Sequence, residues 1–354
     1  MLGSIGFFVL SSARNIKRTT SSGWFNSAAT SERLILVTPM EIRQLKYFIS
    51  IIDCGSLSKA AEQLYIAQPS LSLQIMALEK EFKTQLLLRS SHGVTPTEAG
   101  KLLYQRAQLL LRQVERIPQE IKQGSGSESG KVLIGLPTTI AKILAFPLFN
   151  RICSNFPAIR LQIFESESGY LAELLANVRL DMAVLFRDAE TRGVSVQPLF
   201  DEDLYVFGHV GLRLESAMDV CPMQHLNGIP MVLNRSSQSL RLLIERSFAR
   251  AGLELNVVAD IDSLSTVILI AQKGLACTIL PWYVLNEAEV ERPTFRRLVE
   301  PGIQRPIGLC RPKSLPPNPA SRAVYQTIIE LVREFVQDKQ LMGMRLRTLD
   351  STAY

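Results

Sequence analysis

Apolar residues in the stretch 40–123 recur every three or four positions, which is the period of one face of an α-helix. The first stripe ends before Gly55, a residue type suited to the left-handed cap that closes a helix. The second stripe covers residues 57–64, and the third opens at Pro69, which the first turn of a helix tolerates. The predicted core face of the third helix consists of Leu71, Ile75, Leu78 and Phe82. The pattern predicts three short helices with a tight corner between the second and the third.

A short hairpin and a longer helix are predicted next. Two apolar runs surround the turn Ser-Ser-His-Gly at residues 90–93, which is typical of a β-hairpin wing. Beyond it, six apolar residues alternate at spacings of four and three, forming a heptad seam: Leu103, Ala107, Leu110, Val114, Ile117 and Ile121. A seam this short is expected to pair with a second copy, although a helix packed on its own domain would show the same pattern. Pro118 is expected to kink this helix or to end it early.

From residue 131 the pattern changes to short apolar strands alternating with helices. Strands are predicted at 132–136, 160–164 and 180–186, a βαβαβ order that implies a parallel sheet with ligands beyond the strand C-termini. A similar set begins near residue 203, and the chain is expected to cross between the sets near residues 202 and 305. Two α/β lobes enclose a cleft, and such clefts bind small molecules. The segment GSGSESG at 124–130 has the composition of a flexible hinge.

Charge supports a nucleic-acid partner for the first part of the chain. The net charge is +6, of which residues 1–39 and 40–123 contribute +3 each, while residues 124–354 are balanced. The cationic excess therefore lies where attraction to phosphates requires it, although it is modest. The helix pair at 56–82 is interpreted as a helix-turn-helix whose second helix reads DNA, with two packed helices of another domain type as the alternative.

The remaining composition excludes several classes of protein. The five cysteines and three histidines make no metal-ligand spacing, which favours buried thiols in a reducing cytoplasm. No run of 18 apolar residues occurs, so a membrane span is not expected. Residues 1–39 are poor in acids and resemble a transit peptide or a short signal region, but we favour an over-extended start, with Met40 as the true first residue.

Beyond these patterns, the sequences SLSKAAEQLYIAQPSLSLQIMALEKEF and RSSHGVTPTEAG resemble the winged helix-turn-helix of LysR-type transcriptional regulators. RLDMAVLF, QPLFDEDLYVFG and KGLACTILP resemble the family's regulatory domain, and the resemblance covers residues 40 to about 338. The nitrogen assimilation control subgroup looks most similar. The implied fold is α/β with an N-terminal winged helix-turn-helix (40–98), a dimerisation linker helix (97–123), and an effector domain like the periplasmic binding proteins (131–338). Its lobe I would hold 131–202 and 305–338, its lobe II 203–304, and 339–354 would form a tail.

The resemblance also implies a DNA-contacting set in the second helix of the motif and in the wing: Gln68, Pro69, Ser70, Ser72, Leu73, Arg89 and Thr95. Two positions depart from the family pattern. Leu73 stands where arginine is usual, which removes a side chain able to read guanine but offers contact with a thymine methyl. His92 stands where the wing usually carries arginine or lysine, so its attraction to the minor groove should be weaker at neutral pH.

An inducer between the lobes is implied in the same way, and seven hydroxyl side chains match the family's positions: Thr138, Thr139, Ser166, Ser168, Ser236, Ser237 and Thr266. Hydroxyl groups at helix N-termini favour an anionic effector, because unpaired N–H groups and the helix dipole point there. Each of these residues could equally be a helix cap. Some members of the subgroup need no inducer, so occupancy of the cleft is left open.

We therefore predict a cytoplasmic transcriptional regulator, activator or repressor, that binds dyad-symmetric DNA as a homodimer or homotetramer and contacts RNA polymerase. No cofactor and no enzymatic activity are expected, because no nucleophile elbow, metal motif or phosphate-binding loop is present. One alternative is a two-lobed solute-binding protein without a transcriptional role, which would have no use for residues 40–123. A structural nucleoid-type DNA binder is the other, and it would have no use for the two lobes.

Overall fold

The structure is a computed structural model that describes residues 40–91, 93–123, 128–187, 193–208, 220–235, 239–285, 295–337 and 343–347. The predictions made for residues 1–39, for His92 and for residues 124–127 of the hinge lie outside the described residues.

Three helices form the N-terminal unit: α1 (Ile42–Cys54), α2 (Leu57–Gln63) and α3 (Gln68–Phe82). Gly55 has a φ of 62°, and its N–H donates to the carbonyl of Ile52, as the predicted left-handed cap requires. Leu71, Ile75 and Leu78 are fully buried. Phe82 is 43% exposed, so its assignment to the core was wrong: it is the last residue of α3, and the next residue turns the chain away.

The predicted wing is a hairpin of β1 (Leu87–Ser90) and β2 (Gly93–Pro96). It lies against the corner between α1 and α2, because the N–H of Val94 donates to the carbonyl of Gly55 at 2.8 Å. Gly93 has a φ of 123°, and a Cβ at this position would lie 2.6 Å from the carbonyl oxygen of Gly55. Only glycine fits this close approach without strain.

The linker helix α4 (Glu98–Gln123) begins after Thr97, whose Oγ1 accepts from the N–H of Gly100. It continues through Pro118 to Gln123, so the prediction that Pro118 ends the helix early was wrong. The turn before the proline is anchored, because Arg116 pairs with Asp181 at 2.7 Å.

The two halves of the heptad seam of α4 differ. The first half packs within its own domain, and the second half is left available for a second copy. Ala107 is buried within its own chain, where α4 packs against α1. Leu110 and Ile117 are exposed, and Ile121 is 77% exposed. The second half of the seam therefore remains uncovered in a single chain.

The first lobe contains β3 (Gly130–Leu136), α5 (Thr138–Asn155), β4 (Ile159–Glu165), α6 (Ser168–Ala176) and β5 (Met182–Leu185). β3 lies between β4 and β5 and is parallel to both, as the βαβαβ pattern predicts. The second lobe contains β7 (Val220–Pro222), a 3₁₀ turn (Met223–Leu226), β8 (Met231–Leu233), α7 (Ser239–Ala251), β9 (Val257–Asp260), α8 (Leu264–Gln272), β10 (Thr278–Pro281), α9 (Trp282–Leu285) and β11 (Phe295–Val299).

Two strands connect the lobes. β6 (Val194–Phe207) is a single strand of 14 residues, whereas the sequence pattern predicted only its second half. Its residues 194–203 pair with β12 (Gln304–Pro312), and residues 204–207 pair with β10 and β11. After β12, the chain forms α10 (Pro319–Gln337), which packs against α5.

The segment predicted as a tail contains a further strand. β13 (Met344–Leu346) pairs with β6 at residues 200–202. Arg345 donates to both carboxylate oxygens of Asp203 at 3.0 Å, and Arg347 donates to both of Asp201 at 2.9 Å. The connecting strand is thus held along its edge by residues from the end of the chain.

Candidate DNA-binding surface and inter-lobe cavity

The first turns of α3 present the predicted DNA-contacting side chains to solvent. Gln68, Pro69 and Ser70 are exposed, and Ser72 is half-buried. Leu73 is 63% exposed, so this large apolar side chain does lie on the outer face of the helix, opposite the buried face. The N-terminus of α3 also carries unpaired backbone N–H groups, which favour phosphate.

The wing is fixed relative to α3 by side-chain contacts. Arg89 Nη1 donates to Ser72 Oγ at 3.0 Å, which joins a predicted wing residue to a predicted base-contacting residue. Glu79 Oε1 accepts from the backbone N–H groups of Leu86 and Leu87 at 2.8 and 3.1 Å. Thr95 is exposed on β2. Helix and wing therefore form one preorganised surface.

Two exposed residues of the helix pair were missed by the sequence reasoning. Tyr65, in the corner between α2 and α3, is almost wholly exposed and has a φ of 55°. Met76 lies on the outer face of α3, one turn after Leu73 (three residues on), and is also exposed. An aromatic residue in the corner of a helix-turn-helix was the available signal for Tyr65.

A cavity of about 100 Å³ lies between the two lobes. Four of the seven predicted effector-binding residues line it, namely Thr138, Thr139, Ser166 and Ser168. The other lining residues are Pro137, Glu167, Phe186, Asn234, Ser239, Leu240, Asp262, Leu264, Leu280 and Arg305. The N-termini of α5, α6 and α7 all reach this cavity, because Thr138, Ser168 and Ser239 are their first residues.

The three remaining predicted residues are not among those that line the cavity. Ser236 and Ser237 lie outside the described residues. Thr266 is exposed on α8, and its Oγ1 donates to the Oγ of Ser263, the N-cap residue of that helix. Two of the lining hydroxyls also serve the fold itself: Ser168 accepts from the N–H of Phe186, and Thr139 accepts from Arg305.

One of the residues that line the cavity, Arg305, belongs to a buried ion pair that the sequence reasoning missed. Glu202 on β6 pairs with Arg305 on β12, and both are almost completely buried. Tyr283 donates to Glu202 Oε2 at 2.5 Å, and the Arg305 guanidinium lies 3.6 Å from the ring centroid of Phe186. Burial raises the pKa of Glu202, and the charge of Arg305 opposes that shift.

A second ion pair crosses the cleft at the surface. Arg235 Nε lies 2.6 Å from Asp262 in the second lobe, and its Nη2 donates to Glu167 of the first lobe at 3.2 Å. The arginine is largely exposed. It therefore links the lobes across the mouth of the cavity through a contact that solvent can exchange.

The linker helix is docked on the first lobe by a cluster of charged residues. Asp181 is buried and pairs with Arg116 at 2.7 Å and with Arg112 at 3.4 Å, while it accepts from the N–H of Leu133. Nearby, Asp53 of α1 accepts from Tyr104 of α4 at 2.5 Å and lies 3.6 Å from Arg179. Burial and the Asp53 carboxylate raise the pKa of Tyr104 to about 12.

Two negative findings concern the described part of the chain only. No group of three or more histidine, cysteine or acidic side chains is placed to hold a metal ion there. No helix in those segments is long and apolar enough to cross a membrane.

Two family models match nearly all of the chain after residue 40. Residues 42–101 match the model of the bacterial regulatory helix-turn-helix protein of the LysR family, and residues 125–333 match the LysR substrate binding domain. The chain belongs to the LysR family. It is a DNA-binding transcriptional regulator of this type, and the predictions of family, fold class and function are confirmed. LysR regulators bind DNA and act as oligomers with small-molecule effectors.

Individual relatives and solved structures are similar to the chain in sequence or in fold. The chain is 33% identical over 303 residues to the nitrogen assimilation regulatory protein nac of Escherichia coli, covering 85% of this chain and 98% of that protein. Among solved structures, full-length OxyR of Pseudomonas aeruginosa aligns with a TM-score of 0.63 at 22% identity, covering 83% of this chain and 98% of that one. A cysteine variant of OxyR of Corynebacterium glutamicum, with hydrogen peroxide bound, aligns with a TM-score of 0.53 at 26% identity, covering 87% and 99%.

Proposed function

We propose that this regulator controls nitrogen assimilation genes by binding dyad-symmetric promoter sites as a homodimer or homotetramer. The observation that carries the DNA-binding mode is the preorganised surface of α3 and the wing, joined by the hydrogen bond between Arg89 and Ser72. The nitrogen role is supported by the 33% identity to nac over 98% of that protein. A bound dimer acts in the cytoplasm, contacts RNA polymerase and catalyses no reaction.

DNA contacts are assigned to both parts of that surface. Gln68, Pro69, Ser70, Ser72 and Leu73 enter the major groove, where the short polar groups contact base edges. Arg89 and Thr95 contact the backbone beside the wing and set the register. Leu73 and Met76, three residues apart on α3, make an apolar area on the reading face, which suits thymine methyl groups better than guanine.

Pairing of two copies is assigned to the uncovered half of the α4 seam. Leu110, Ile117 and Ile121 stand exposed at heptad spacing, and a second copy would cover them. The chain then divides into a winged helix-turn-helix (40–98), the linker helix (97–123), a hinge (124–130) and an effector domain (131–338).

The effector is assigned to the inter-lobe cavity. Thr138, Thr139, Ser166 and Ser168 contribute hydroxyl groups from the described structure, and we keep Ser236, Ser237 and Thr266 as further candidates. The convergence of three helix N-termini supports a ligand that carries a negatively charged group. Closure of the lobes on this ligand changes the angle between paired dimers, and with it the bending of DNA.

A footprinting experiment on the DNA upstream of the gene tests the DNA-binding mode. Protection of two half-sites with dyad symmetry is expected, and absence of sequence-specific protection even at low salt would overturn it. The nitrogen role is tested separately by mapping bound sites in cells grown on a poor nitrogen source. Sites that lie away from nitrogen assimilation genes would refute that role while leaving the DNA-binding mode intact.

A further inference from the structure

The inter-lobe cavity carries charges of both signs, and they are arranged in two groups. Arg305 and the N-terminus of α5 supply positive potential on one side. Glu167 and Asp262 supply two carboxylates where Arg235 bridges the lobes. We propose that the cavity binds a small α-amino acid as a zwitterion, with its carboxylate at the first group and its ammonium at the second. This inference rests on the effector site proposed above and names the class of ligand.

The carboxylate side is marked by an unsatisfied buried donor. Arg305 is 2% exposed and lines the cavity, and its Nη1 has no hydrogen-bond partner among the residues that the structure describes. Leaving a buried donor of a charged group without a partner is costly, so such atoms in folded proteins usually bind a ligand or a water molecule. The hydroxyl of Thr138 is exposed at the same side, at the first residue of α5.

The ammonium side is marked by the two carboxylates. Glu167 belongs to the first lobe and Asp262 to the second, and both currently share the guanidinium of Arg235. A ligand ammonium provides three donors, so it can join the same two carboxylates. Since Arg235 is largely exposed, its exchange for an ammonium within the cavity costs little. The ligand would then bridge the lobes from inside and favour the closed arrangement.

The two lining carboxylates argue against a ligand with a second negative group. Glu167 and Asp262 are the acidic residues that line the cavity, so a second carboxylate on the ligand would lie close to like charges, which disfavour one another. A dicarboxylate would add two further negative charges at a partly buried position, whereas a zwitterion adds none.

The cavity also limits the size of the ligand. A volume of about 100 Å³ is well below the roughly 300–1,000 Å³ of pockets that enclose drug-sized ligands, so only a short side chain fits in this arrangement. Apolar groups are present to meet it: Phe186, Leu240, Leu264 and Leu280 line the same space. The inference is thus a neutral amino acid with a short side chain.

Calorimetric titration of the full-length protein tests the inference. The probes are glycine, L-alanine, propionate (no ammonium), ethylamine (no carboxylate) and succinate. L-Alanine or glycine should bind at least about tenfold more tightly than each of the other three, because only they satisfy both groups. Propionate or succinate binding as tightly as the amino acids would overturn the zwitterion. No binding of any probe, by a protein that still protects its own promoter, would overturn the amino acid and leave the proposed function standing.

Variants of the two lining carboxylates test where the ligand ammonium binds. Glu167→Gln together with Asp262→Asn should remove the preference for L-alanine over propionate, while the matched Glu165→Gln, an exposed acid outside the lining, should retain it. Thr138→Val, at an exposed position, should weaken L-alanine and propionate equally, and it avoids the folding defect expected for changes at the buried Arg305. Unchanged discrimination in the double variant would refute the assignment.

Discussion

Asp181 anchors the linker helix to the first lobe, so we expect Asp181→Asn to release α4 from that surface. The substitution keeps the size and shape of the side chain and removes its negative charge. It leaves the guanidinium groups of Arg112 and Arg116, whose side chains are 19% and 15% exposed, without the carboxylate that now lies 3.4 and 2.7 Å away. The N–H of Leu133 also loses a charged acceptor at 2.7 Å.

The magnitude follows from burial. Breaking a buried pair by removing one partner costs about 3–5 kcal/mol, because the remaining charge is left uncompensated. Both arginines keep a backbone acceptor, Arg112 at the carbonyl of Val178 and Arg116 at that of Pro316, and both retain some exposure. We therefore expect the lower end, about 3 kcal/mol, which corresponds to roughly a hundredfold change in the equilibrium constant for opening.

Amide hydrogen exchange measured by mass spectrometry is the suitable assay, because it reports the opening of one segment. Peptides from residues 105–117 should exchange roughly a hundredfold faster in the variant, while peptides from β3 change less. Glu115→Gln is the matched control, since it removes an exposed carboxylate from the same helix. Unchanged exchange across α4 would show that Asp181 does not hold the helix.

Three further predictions concern the wing, the reading helix and a buried thiol. Gly93→Ala should destabilise the protein by about 2 kcal/mol in urea unfolding, because its φ of 123° and the 2.6 Å approach to Gly55 both penalise a Cβ. Leu73→Arg should shift selection from random DNA toward guanine at one position of each half-site. Cys310, whose pKa burial raises to about 12, should react with a thiol reagent at pH 8 far more slowly than the exposed Cys153.

Each of these has a control or a refuting outcome. Gly169→Ala adds a Cβ in open space without a positive φ, so equal losses in the two glycine variants would contradict the steric argument. Unchanged base preference in the Leu73 variant would show that this side chain does not reach a base. For Cys310, a raised folded-state pKa means that its contribution to stability is present below its unfolded pKa of about 9. That contribution is lost as pH rises from 9 toward 12. A free energy of unfolding that rises over this range would contradict the raised pKa of Cys310.

Local pattern sufficed for the helix-turn-helix and for most strands. The 4-3 spacing of Leu71, Ile75 and Leu78 predicts a buried face from sequence alone, and the structure buries all three. The prediction that Phe82 is buried was wrong because periodicity does not show where a helix leaves the core. The prediction that α4 ends at Pro118 was wrong for a related reason. A proline removes one backbone hydrogen bond, but contacts distant in sequence, such as that of Arg116 with Asp181, decide whether the helix continues.

The buried ion pair and the first half of β6 were missed because both depend on contacts between distant parts of the chain. Glu202 and Arg305 are 103 residues apart, and each is a charged residue within a strand, where residue type alone predicts exposure. Their burial follows from the pairing of β6 with β12, which places them side by side. The first half of β6 was missed because Pro198 and Asp201 interrupt its apolar run, although the strand is held from both edges.

α6 lies between the inter-lobe cavity and the segment that contacts α1 and α4. α6 begins at Ser168, which lines the inter-lobe cavity, and ends at Ala176, just before the turn that carries Val178, Arg179 and Asp181 to α1 and α4. A helix of nine residues spans about 13 Å and moves as a rigid element. We therefore expect that the ligand proposed above, if it draws Glu167 toward the second lobe, also affects the contacts that Val178 and Asp181 make with the linker helix just beyond the end of α6.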